Sequence, residues 1–175
     1  SVYPAGKDRT TFSENLIDAE SIRAKSNAAA DSVFSGYDGF KIVTVGRAQS
    51  YTKGIDRIIT AAKALKQNGI DFRWFYIGGG DDLESSKAAA LEAGVADAVV
   101  FLGAKKNPYP YIAGADLFVL PSRHEGKPMV VTEAQILATP VLVTEYASAR
   151  AQVDDGVDGR VIPNRDEGLA EAVAS

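Results

Sequence analysis

Two glutamates, Glu125 and Glu133, lie eight residues apart in the stretch HEGKPMVVTEA and are the first candidates for a chemical role. On one uninterrupted helix, their side chains would lie about 80° apart around the axis and roughly 12 Å apart along it. At that separation the two carboxyl groups can neither share a proton nor bind one metal ion. The spacing therefore argues against an acid–base pair, and the surrounding residues must explain why both acids are present.

Pro128 divides this stretch into a loop and a helix. Proline is tolerated at the first position of a helix, so we expect a helix that begins at or just after it and runs to about Ala138. Glu125 then lies in the loop before the helix, and Glu133 lies in the second turn. The free backbone N–H groups of residues 126–130 point out of the helix N-terminus and attract anions. The alternative is that one acid caps the helix and the other is a solvated helix residue.

Two cations, Arg47 and Lys53, flank a loop between a predicted strand and the helix after it. Basic residues are common in solvated loops, so the pair alone decides nothing. Its place at the carboxyl end of a strand, with Lys53 and Gly54 at the start of the next helix, favours binding of an anion. His124, the single histidine, is expected to face the solvent, although a place near a reaction centre is left open.

Other chemical motifs are weak or absent in the sequence. The run GGGDDL at 78–83 has Leu83 in place of the third glycine of G-x-G-x-x-G, so a tight turn into a helix explains it better. No P-loop and no Asp-x-Asp pair occur. With no cysteine and one histidine, a zinc site is not expected. The sequence therefore predicts no metal site.

The composition is that of a soluble globular domain. Of 175 residues, 46% are hydrophobic and 24% are charged, which suits one domain with a complete core. A net charge of -4 argues against nucleic acid as a general partner. The lack of cysteine excludes disulfides and makes a cytoplasmic location the natural expectation. No apolar run approaches the length of a transmembrane segment.

Predicted strands and helices alternate along most of the chain. The strands are short, nearly continuous apolar runs, which is typical of strands buried on both faces. This pattern predicts an α/β fold with a doubly wound, Rossmann-like parallel sheet of about six strands, in which ligands bind beyond the carboxyl ends of the strands. The predicted strands are 41–45, 72–77, 98–103, 116–122, 140–145 and 159–163, and the main predicted helices are 20–34, 54–70, 81–94, 129–138 and 166–174.

Seven segments together resemble one family of enzymes. They are similar, in order and in spacing, to the carboxyl-terminal domain of the GT-B fold glycosyltransferases of group 1, or family 4, which retain the configuration of the transferred sugar. Glu125 and Glu133 fit the Glu-x7-Glu signature of this family. The matching segments are Val45–Asp56, Ile77–Gly80, Val99–Gly103, Tyr111–Gly126, Pro128–Ala134, Thr139–Glu145 and Asp154–Pro163.

The resemblance implies that the chain is one half of a GT-B enzyme. Residues 1–40 would be a linker-derived segment and a helix, with Val2–Phe12 similar to the family's linker, and residues 41–175 would be the nucleotide-sugar-binding domain. The amino-terminal acceptor domain would be absent from this chain. We therefore expect little or no transferase activity from these residues alone, and binding of a glycan or lipid-linked acceptor through the missing domain.

The resemblance also implies a role for each candidate residue. Arg47 and Lys53 would bind the diphosphate of a UDP-, GDP- or ADP-sugar and stabilise its charge as it leaves, so that neither a metal nor a cofactor is needed. Glu125 would accept hydrogen bonds from sugar hydroxyls, and Glu133 from the ribose. Arg47, Lys53 and Glu125 are the predicted catalytic residues. The predicted donor-binding residues are Gly46, Gly103, Ala104, Lys105, Gly126, Lys127, Met129, Val130, Thr132 and Glu133.

The donor-binding residues divide by the part of the donor that the resemblance assigns to them. The backbone N–H groups of residues 126–130 would contact sugar hydroxyls and phosphate, and the Thr132 hydroxyl would lie near the phosphate. The backbone of residues 103–105 would border the base.

One departure from the family pattern bears on the biological role. Many relatives read Glu-Gly-Phe-Gly where this sequence has EGKP at 125–128, and the form found here is similar to transferases of capsule, O-antigen and exopolysaccharide assembly. The resemblance thus implies hexosyl transfer from a nucleotide sugar to an acceptor hydroxyl in cell-surface polysaccharide or lipopolysaccharide synthesis. The resemblance leaves open whether the full-length protein is peripherally bound to the inner face of the membrane. The alternatives are a nucleotide-sugar-binding module without catalysis, and a GT-B epimerase or phosphorylase.

Overall fold

The computed structural model describes residues 17–175, so the linker-like stretch Val2–Phe12 lies outside the described residues. Within that range, strands and helices alternate as expected. The strands are β1 (Phe40–Val45), β2 (Phe72–Ile77), β3 (Val99–Gly103), β4 (Leu117–Leu120), β5 (Val141–Thr144) and β6 (Gly159–Ile162). The helices are α1 (Ala19–Ser26), α2 (Ser32–Ser35), α3 (Ser50–Lys53), α4 (Ile55–Gln67), α5 (Leu83–Glu92), α6 (Tyr109–Ala113), α7 (Met129–Ile136), α8 (Ala149–Gln152) and α9 (Leu169–Ala174).

The six strands form one parallel sheet in the order β3-β2-β1-β4-β5-β6. Strand β1 lies at its centre, where Val43 is opposite Phe75 of β2 on one side and Phe118 of β4 on the other. The strand order therefore reverses between β1 and β4. In a sheet of this type the reversal opens a crevice at the carboxyl ends of the two strands, and ligands bind there.

Both faces of the sheet are covered by helices. Alternate residues of a strand point to opposite faces, so Ile42 and Trp74 pack with α4, α5 and α9, while Val43 and Phe75 pack with α2, α6, α7 and α8. All four side chains are fully buried. The predicted doubly wound α/β sheet is confirmed, and burial on two faces explains why its strands are nearly continuous apolar runs.

The end of α4 shows how local sequence fixes the helix boundaries. Gly69 has a left-handed φ of 73°, its N–H bonds to the Lys66 carbonyl, and the Ile70 N–H bonds to the Leu65 carbonyl at 3.1 Å. This pair of bonds is the Schellman ending of a helix, which favours glycine at the left-handed position. The predicted stop at Gly69 is confirmed.

Some predictions about helices were wrong in detail. The helix predicted over 20–34 is two helices, because Asp31 begins α2 and is held by an ion pair with Lys105 from the loop after β3. Helices α3 and α8 were not predicted, and Lys53 does not open the helix after β1 but ends α3, because Gly54 breaks the chain into two helices there. The predicted start of α7 is confirmed, because the helix begins at Met129 with Pro128 as its N-cap, which has an extended ψ of 117°. Its predicted end near Ala138 was too late: α7 ends at Ile136 because Ala138 turns into a left-handed φ of 58°.

Among residues 17–175, none of the helices combines the length and the apolar character that crossing a membrane requires.

Candidate functional site

Lys53 and Glu125 meet at the switch point of the sheet. The Lys53 Nζ atom donates to Glu125 Oε1 at 2.5 Å, and the two side chains are only 21% and 11% exposed. Lys53 is carried by α3, which follows β1, and Glu125 by the loop after β4. The sequence placed both residues at this edge of the sheet but gave them different partners, whereas the structure joins them as an ion pair.

Gly54 sets the position of Lys53 beside that loop. It is at once the C-cap of α3 and the N-cap of α4, with a left-handed φ of 68°. A Cβ atom at this position would stand 2.2 Å from the Pro121 carbonyl oxygen. Glycine is required here both by the backbone conformation and by the close approach of the two segments, and the contact brings α3 against the loop that carries Glu125.

A cluster of charged and polar side chains supports the contact between α3 and the loop that carries Glu125. We call it the arginine network (Asp56, Arg57, Arg123, Asn164 and Asp166). The Arg57 side chain is 4% exposed, and its Nε atom donates to Asp166 at 2.8 Å. Its Nη1 atom donates to the Pro121 carbonyl at 3.1 Å and to Asn164. Arg123 forms a bidentate pair with Asp56 at 2.8 and 2.6 Å. Hydrogen bonds from the two arginines hold the pKa of Asp166 below its usual range.

The arginine network was missed by sequence reasoning. Its signals were Asp56 and Arg57, two and three residues after Gly54, and Arg123 two residues before Glu125. Each could equally have been a solvated surface charge. Because their partners are many residues away along the chain, only the tertiary structure shows that they hold the Pro121–Glu125 loop against α4.

Arg47, the second predicted phosphate ligand, lies in a more open place. Its guanidinium is 3.7 Å from Asp81, and the two side chains are 64% and 90% exposed, so this pair is weak. Its backbone is better fixed, because the buried Tyr76 hydroxyl donates to the Gly46 and Arg47 carbonyls at 3.2 and 3.1 Å. Burial raises the pKa of Tyr76, which keeps this hydroxyl protonated as a donor. The structure thus fixes the loop and leaves the Arg47 side chain in solvent.

The glycine run after β2 is a structural turn. A Cβ atom at Gly78 would lie 1.7 Å from the Gly46 carbonyl oxygen, so the loops after β1 and β2 touch through their backbones. The Ala48 N–H donates to the Gly79 carbonyl at 2.9 Å, and Asp82 accepts from the Ser50 N–H at 2.8 Å. The predicted tight turn into a helix is confirmed, and it braces the segment that leads to Lys53.

The N-terminus of α7 opens to solvent beside the Lys53–Glu125 pair. Gly126, Lys127 and Met129 are exposed, and Val130 is partly exposed. A cleft of about 630 Å³ lies next to this turn, lined by His124, Glu125, Gly126 and Tyr146 among others. A second cavity, of about 550 Å³, lies at the opposite edge of the sheet near Val141 and Gly159, where β5 and β6 begin. Only the first is near the predicted site, and His124 is exposed within it, as expected.

Glu133 lies in the second turn of α7, as predicted, and is half-buried. Burial raises the pKa of its carboxyl, and the hydrogen bond from the Tyr109 hydroxyl, at 3.3 Å, partly opposes that shift. Tyr109 stands at the start of α6 and was not among the predicted site residues. Its only sequence signal was its place just after the loop that follows β3.

The charge of Glu133 is expected to lower the stability of the fold at neutral and alkaline pH. Because its pKa is higher in the folded chain than in the unfolded one, the folded state binds more protons between the two values, and stability falls as pH rises through that window. Glu133→Gln keeps an oxygen acceptor for Tyr109 and removes the charge. The variant should therefore melt at a higher temperature than the wild type at pH 8, with the difference vanishing near pH 4.

Calorimetric melting at both pH values tests this expectation. The exposed loop residue Glu167 offers a matched control, since Glu167→Gln should change the melting temperature little at either pH. A Glu133→Gln variant that is no more stable than wild type at pH 8 would contradict the assignment of burial as the cause.

The loop after β3, predicted to border the base, is tied to the end of α1 and to the connection between α1 and α2. Lys105 Nζ forms an ion pair with Asp31 at 2.7 Å, and Asn107 donates to the Lys25 carbonyl at 2.8 Å. The hydrogen bond with Asp31 raises the pKa of Lys105. Gly103 ends the strand with a left-handed φ of 71°. Because the Lys105 ammonium is engaged by Asp31, its side chain is directed to the segment before α2, and the role of the backbone of residues 103–105 beside the base stays a prediction.

No group of three or more histidine, cysteine, aspartate or glutamate side chains among residues 17–175 is arranged to hold a metal ion. The arrangement offers instead a lysine ammonium, an exposed arginine and a helix N-terminus, all of which attract anions. Glu125 lies in the loop before α7 and Glu133 in its second turn, and each carboxylate is a hydrogen-bond acceptor. The roles assigned to these residues stay predictions.

Comparison with known proteins identifies the family to which this chain is similar. The family model described as Glycosyl transferases group 1 matches residues 29–175. The amylovoran biosynthesis glycosyltransferase AmsK of Erwinia amylovora is 32% identical over 143 residues, which cover 77% of this chain and 34% of AmsK. The chain spans less than half the length of the curated relatives that it matches.

The fold is also found in solved structures. The C-terminal domain of the group 1 glycosyl transferase LpcC from Francisella tularensis superposes with a TM-score of 0.65 at 26% identity, covering 77% of this chain and 73% of that chain. The complex of Anabaena Alr3699/HepE with UDP and glucose has a TM-score of 0.70 at 20% identity, covering 83% of this chain and 42% of that chain. At 20% identity the second likeness concerns the fold alone.

Proposed function

Since this chain belongs to the group 1 glycosyl transferases, we propose that its residues 41–175 form the donor-binding domain of a retaining, metal-independent hexosyltransferase. The donor is a nucleoside diphosphate sugar, and the domain is one half of a GT-B enzyme. The observation that carries the proposal is the Lys53–Glu125 pair at the switch point of the sheet, beside the exposed N-terminus of α7.

The proposed reaction needs stabilisation of a diphosphate leaving group. The bond between the anomeric carbon and the diphosphate oxygen breaks, and the acceptor oxygen bonds to the same face of the sugar while its proton passes to the departing phosphate. Lys53, Arg47 and the α7 N-terminus supply positive potential where the charge develops. Glu125 orients Lys53 and accepts hydrogen bonds from the sugar. No side chain of this domain is assigned as a nucleophile.

The wider role is proposed from the relatives. AmsK is described as an enzyme of amylovoran biosynthesis, and a second relative, LpsE of Rhizobium meliloti, as an enzyme of lipopolysaccharide core biosynthesis. We assign this chain to cell-surface polysaccharide or lipopolysaccharide assembly on the cytoplasmic side. The acceptor, a glycan or a lipid-linked glycan, would bind through the part of the longer protein that this chain does not span.

Titration of the chain with UDP, GDP and ADP tests the donor site. One of the three is expected to bind, and UDP comes first because the Alr3699/HepE neighbour holds it. Glu133→Ala should weaken binding of the preferred nucleotide by about tenfold, because a hydrogen bond to a charged group contributes about 1.5–3 kcal/mol. Isothermal calorimetry gives both affinities.

The control for this titration is Glu92→Ala, which removes an exposed carboxylate at the last residue of α5. That variant should bind like the wild type. If none of the three nucleotides binds at millimolar concentration, the proposed donor site is wrong.

A further inference from the structure

The side chain of Gln152, the last residue of α8, connects three groups beside the proposed donor site. Its Nε2 atom donates to the Pro128 carbonyl at 2.8 Å and to Thr132 Oγ1 at 3.0 Å. Its Oε1 atom accepts from the Tyr146 hydroxyl at 2.9 Å. A carbonyl oxygen can only accept a hydrogen bond, so the nitrogen of the amide must face Pro128. The orientation of the Gln152 amide is therefore fixed by chemistry, and both of its N–H groups are directed at the start of α7.

This arrangement determines what the Thr132 hydroxyl can do. A hydroxyl has one proton to donate, and the Thr132 oxygen already accepts from Gln152. In a helix, threonine usually donates to the carbonyl four residues earlier, which here is Pro128. That carbonyl already accepts from Gln152 and from the Val131 N–H. The Thr132 proton is thus left for a different acceptor.

The hydroxyl also lies in a suitable place for an anion. Side chains on a helix tilt toward its N-terminus, so the Thr132 hydroxyl stands over the first turn of α7, next to the solvent-exposed residues Gly126 and Lys127. The same helix end carries partial positive charge. An acceptor that takes the Thr132 proton there would be an anionic oxygen at the N-terminus of the helix.

Two further contacts connect α8 and the residues before it to the first turn of α7. Tyr146 is buried, and burial, followed by the charge of Glu125, raises its pKa to about 12, so it remains a protonated donor to Gln152. Ser148, the N-cap of α8, donates through its hydroxyl to the Gly126 carbonyl. The segment from Tyr146 to Gln152 therefore holds both ends of the stretch between Gly126 and Thr132.

We infer that Gln152 is a positioning residue, which fixes the first turn of α7 and turns the Thr132 hydroxyl into a donor for the diphosphate of the bound nucleotide. The inference rests on the proposed function. It differs from a purely structural role in one respect: the loss of Gln152 should weaken binding of the phosphates and leave binding of the nucleoside unchanged.

The test compares a nucleoside diphosphate with its nucleoside on the same chain. The preferred one of UDP, GDP and ADP is titrated by calorimetry, and the matching nucleoside by NMR chemical shifts. Leucine has a similar size and makes no side-chain hydrogen bonds. Gln152→Leu should therefore weaken binding of the diphosphate about tenfold and binding of the nucleoside less than twofold. Gln67→Leu, at an exposed position at the end of α4, is the matched control and should change neither affinity.

Thr132→Val completes the experiment, since it removes only the hydroxyl. Thr132→Val should weaken binding of the diphosphate by about fivefold. The double variant should bind the diphosphate almost as tightly as Gln152→Leu alone, because the two residues act through one contact. An unchanged diphosphate affinity for Thr132→Val, or equal losses for diphosphate and nucleoside in Gln152→Leu, would overturn the inference. A wild-type chain that binds no nucleotide would instead overturn the proposed function.

Discussion

Replacing Lys53 with methionine is expected to lower both the stability of the domain and its affinity for a nucleoside diphosphate. Glu125 is 11% exposed and would lose the ammonium that it contacts at 2.5 Å. Breaking a fully buried pair costs about 3–5 kcal/mol, and because both side chains retain some exposure we expect a loss of about 2 kcal/mol here. The diphosphate loses a charged donor, which should weaken binding by about 100-fold. Urea unfolding and calorimetry measure the two effects.

A second substitution separates these two effects. In Lys53→Met combined with Glu125→Gln, the unpaired charge is gone, so most of the stability should return while the diphosphate affinity stays low. Lys87→Met removes an exposed ion pair on α5 and should cost less than about 0.5 kcal/mol with no change in affinity. A double variant that binds the nucleotide as the wild type does would show that Lys53 is a structural residue only.

Arg57→Leu is expected to be the most destabilising single change in the arginine network, at about 3 kcal/mol. The guanidinium is 4% exposed and donates to Asp166, Asn164 and the Pro121 carbonyl. Without it the buried carbonyl loses a donor, and the loop before Glu125 loses its support. The free energy of unfolding in urea gives the size of the effect.

Two variants show whether the effect belongs to the network. Arg165→Leu replaces an exposed arginine in the loop after β6 and should change the free energy of unfolding by less than about 0.5 kcal/mol. Arg57→Lys keeps the charge but lacks the planar fork that reaches three acceptors, so it should recover only part of the loss. Equal stability of Arg57→Leu and wild type would mean that the network contributes nothing to the fold.

Much of the fold could be predicted because the strands are marked locally. The runs KIVTV and FRWFYI are apolar, rich in β-branched or aromatic residues and followed by glycine, and the structure places strands there within one residue of each predicted boundary. The region 20–34 has weak patterning. Its division into α1 and α2 depends on contacts of Asp31 with Lys105 and Tyr111, which are far away along the chain and leave no local signal.

The positions of the main site residues on loops and helices could be predicted from the sequence. The ion pair between Lys53 and Glu125 could not. The spacing of Glu125 and Glu133 around Pro128 placed one acid before a helix and the other inside it, as the structure shows. The contact between Lys53 and Glu125 spans 72 residues and depends on side-chain conformation. Gln152 left even less trace, because a glutamine at the end of a short unpredicted helix looks like any solvated residue until its three partners are known.

Gly54 changes how sequence variants of this domain should be classified. A side chain there would press on the Pro121 carbonyl, the same oxygen that Arg57 binds. A change from glycine to alanine alters no charge, no polar group and almost no volume, and by those criteria it would be scored as benign. Its geometry instead groups it with substitutions of Lys53 and Glu125, because one added methyl group would displace the same loop.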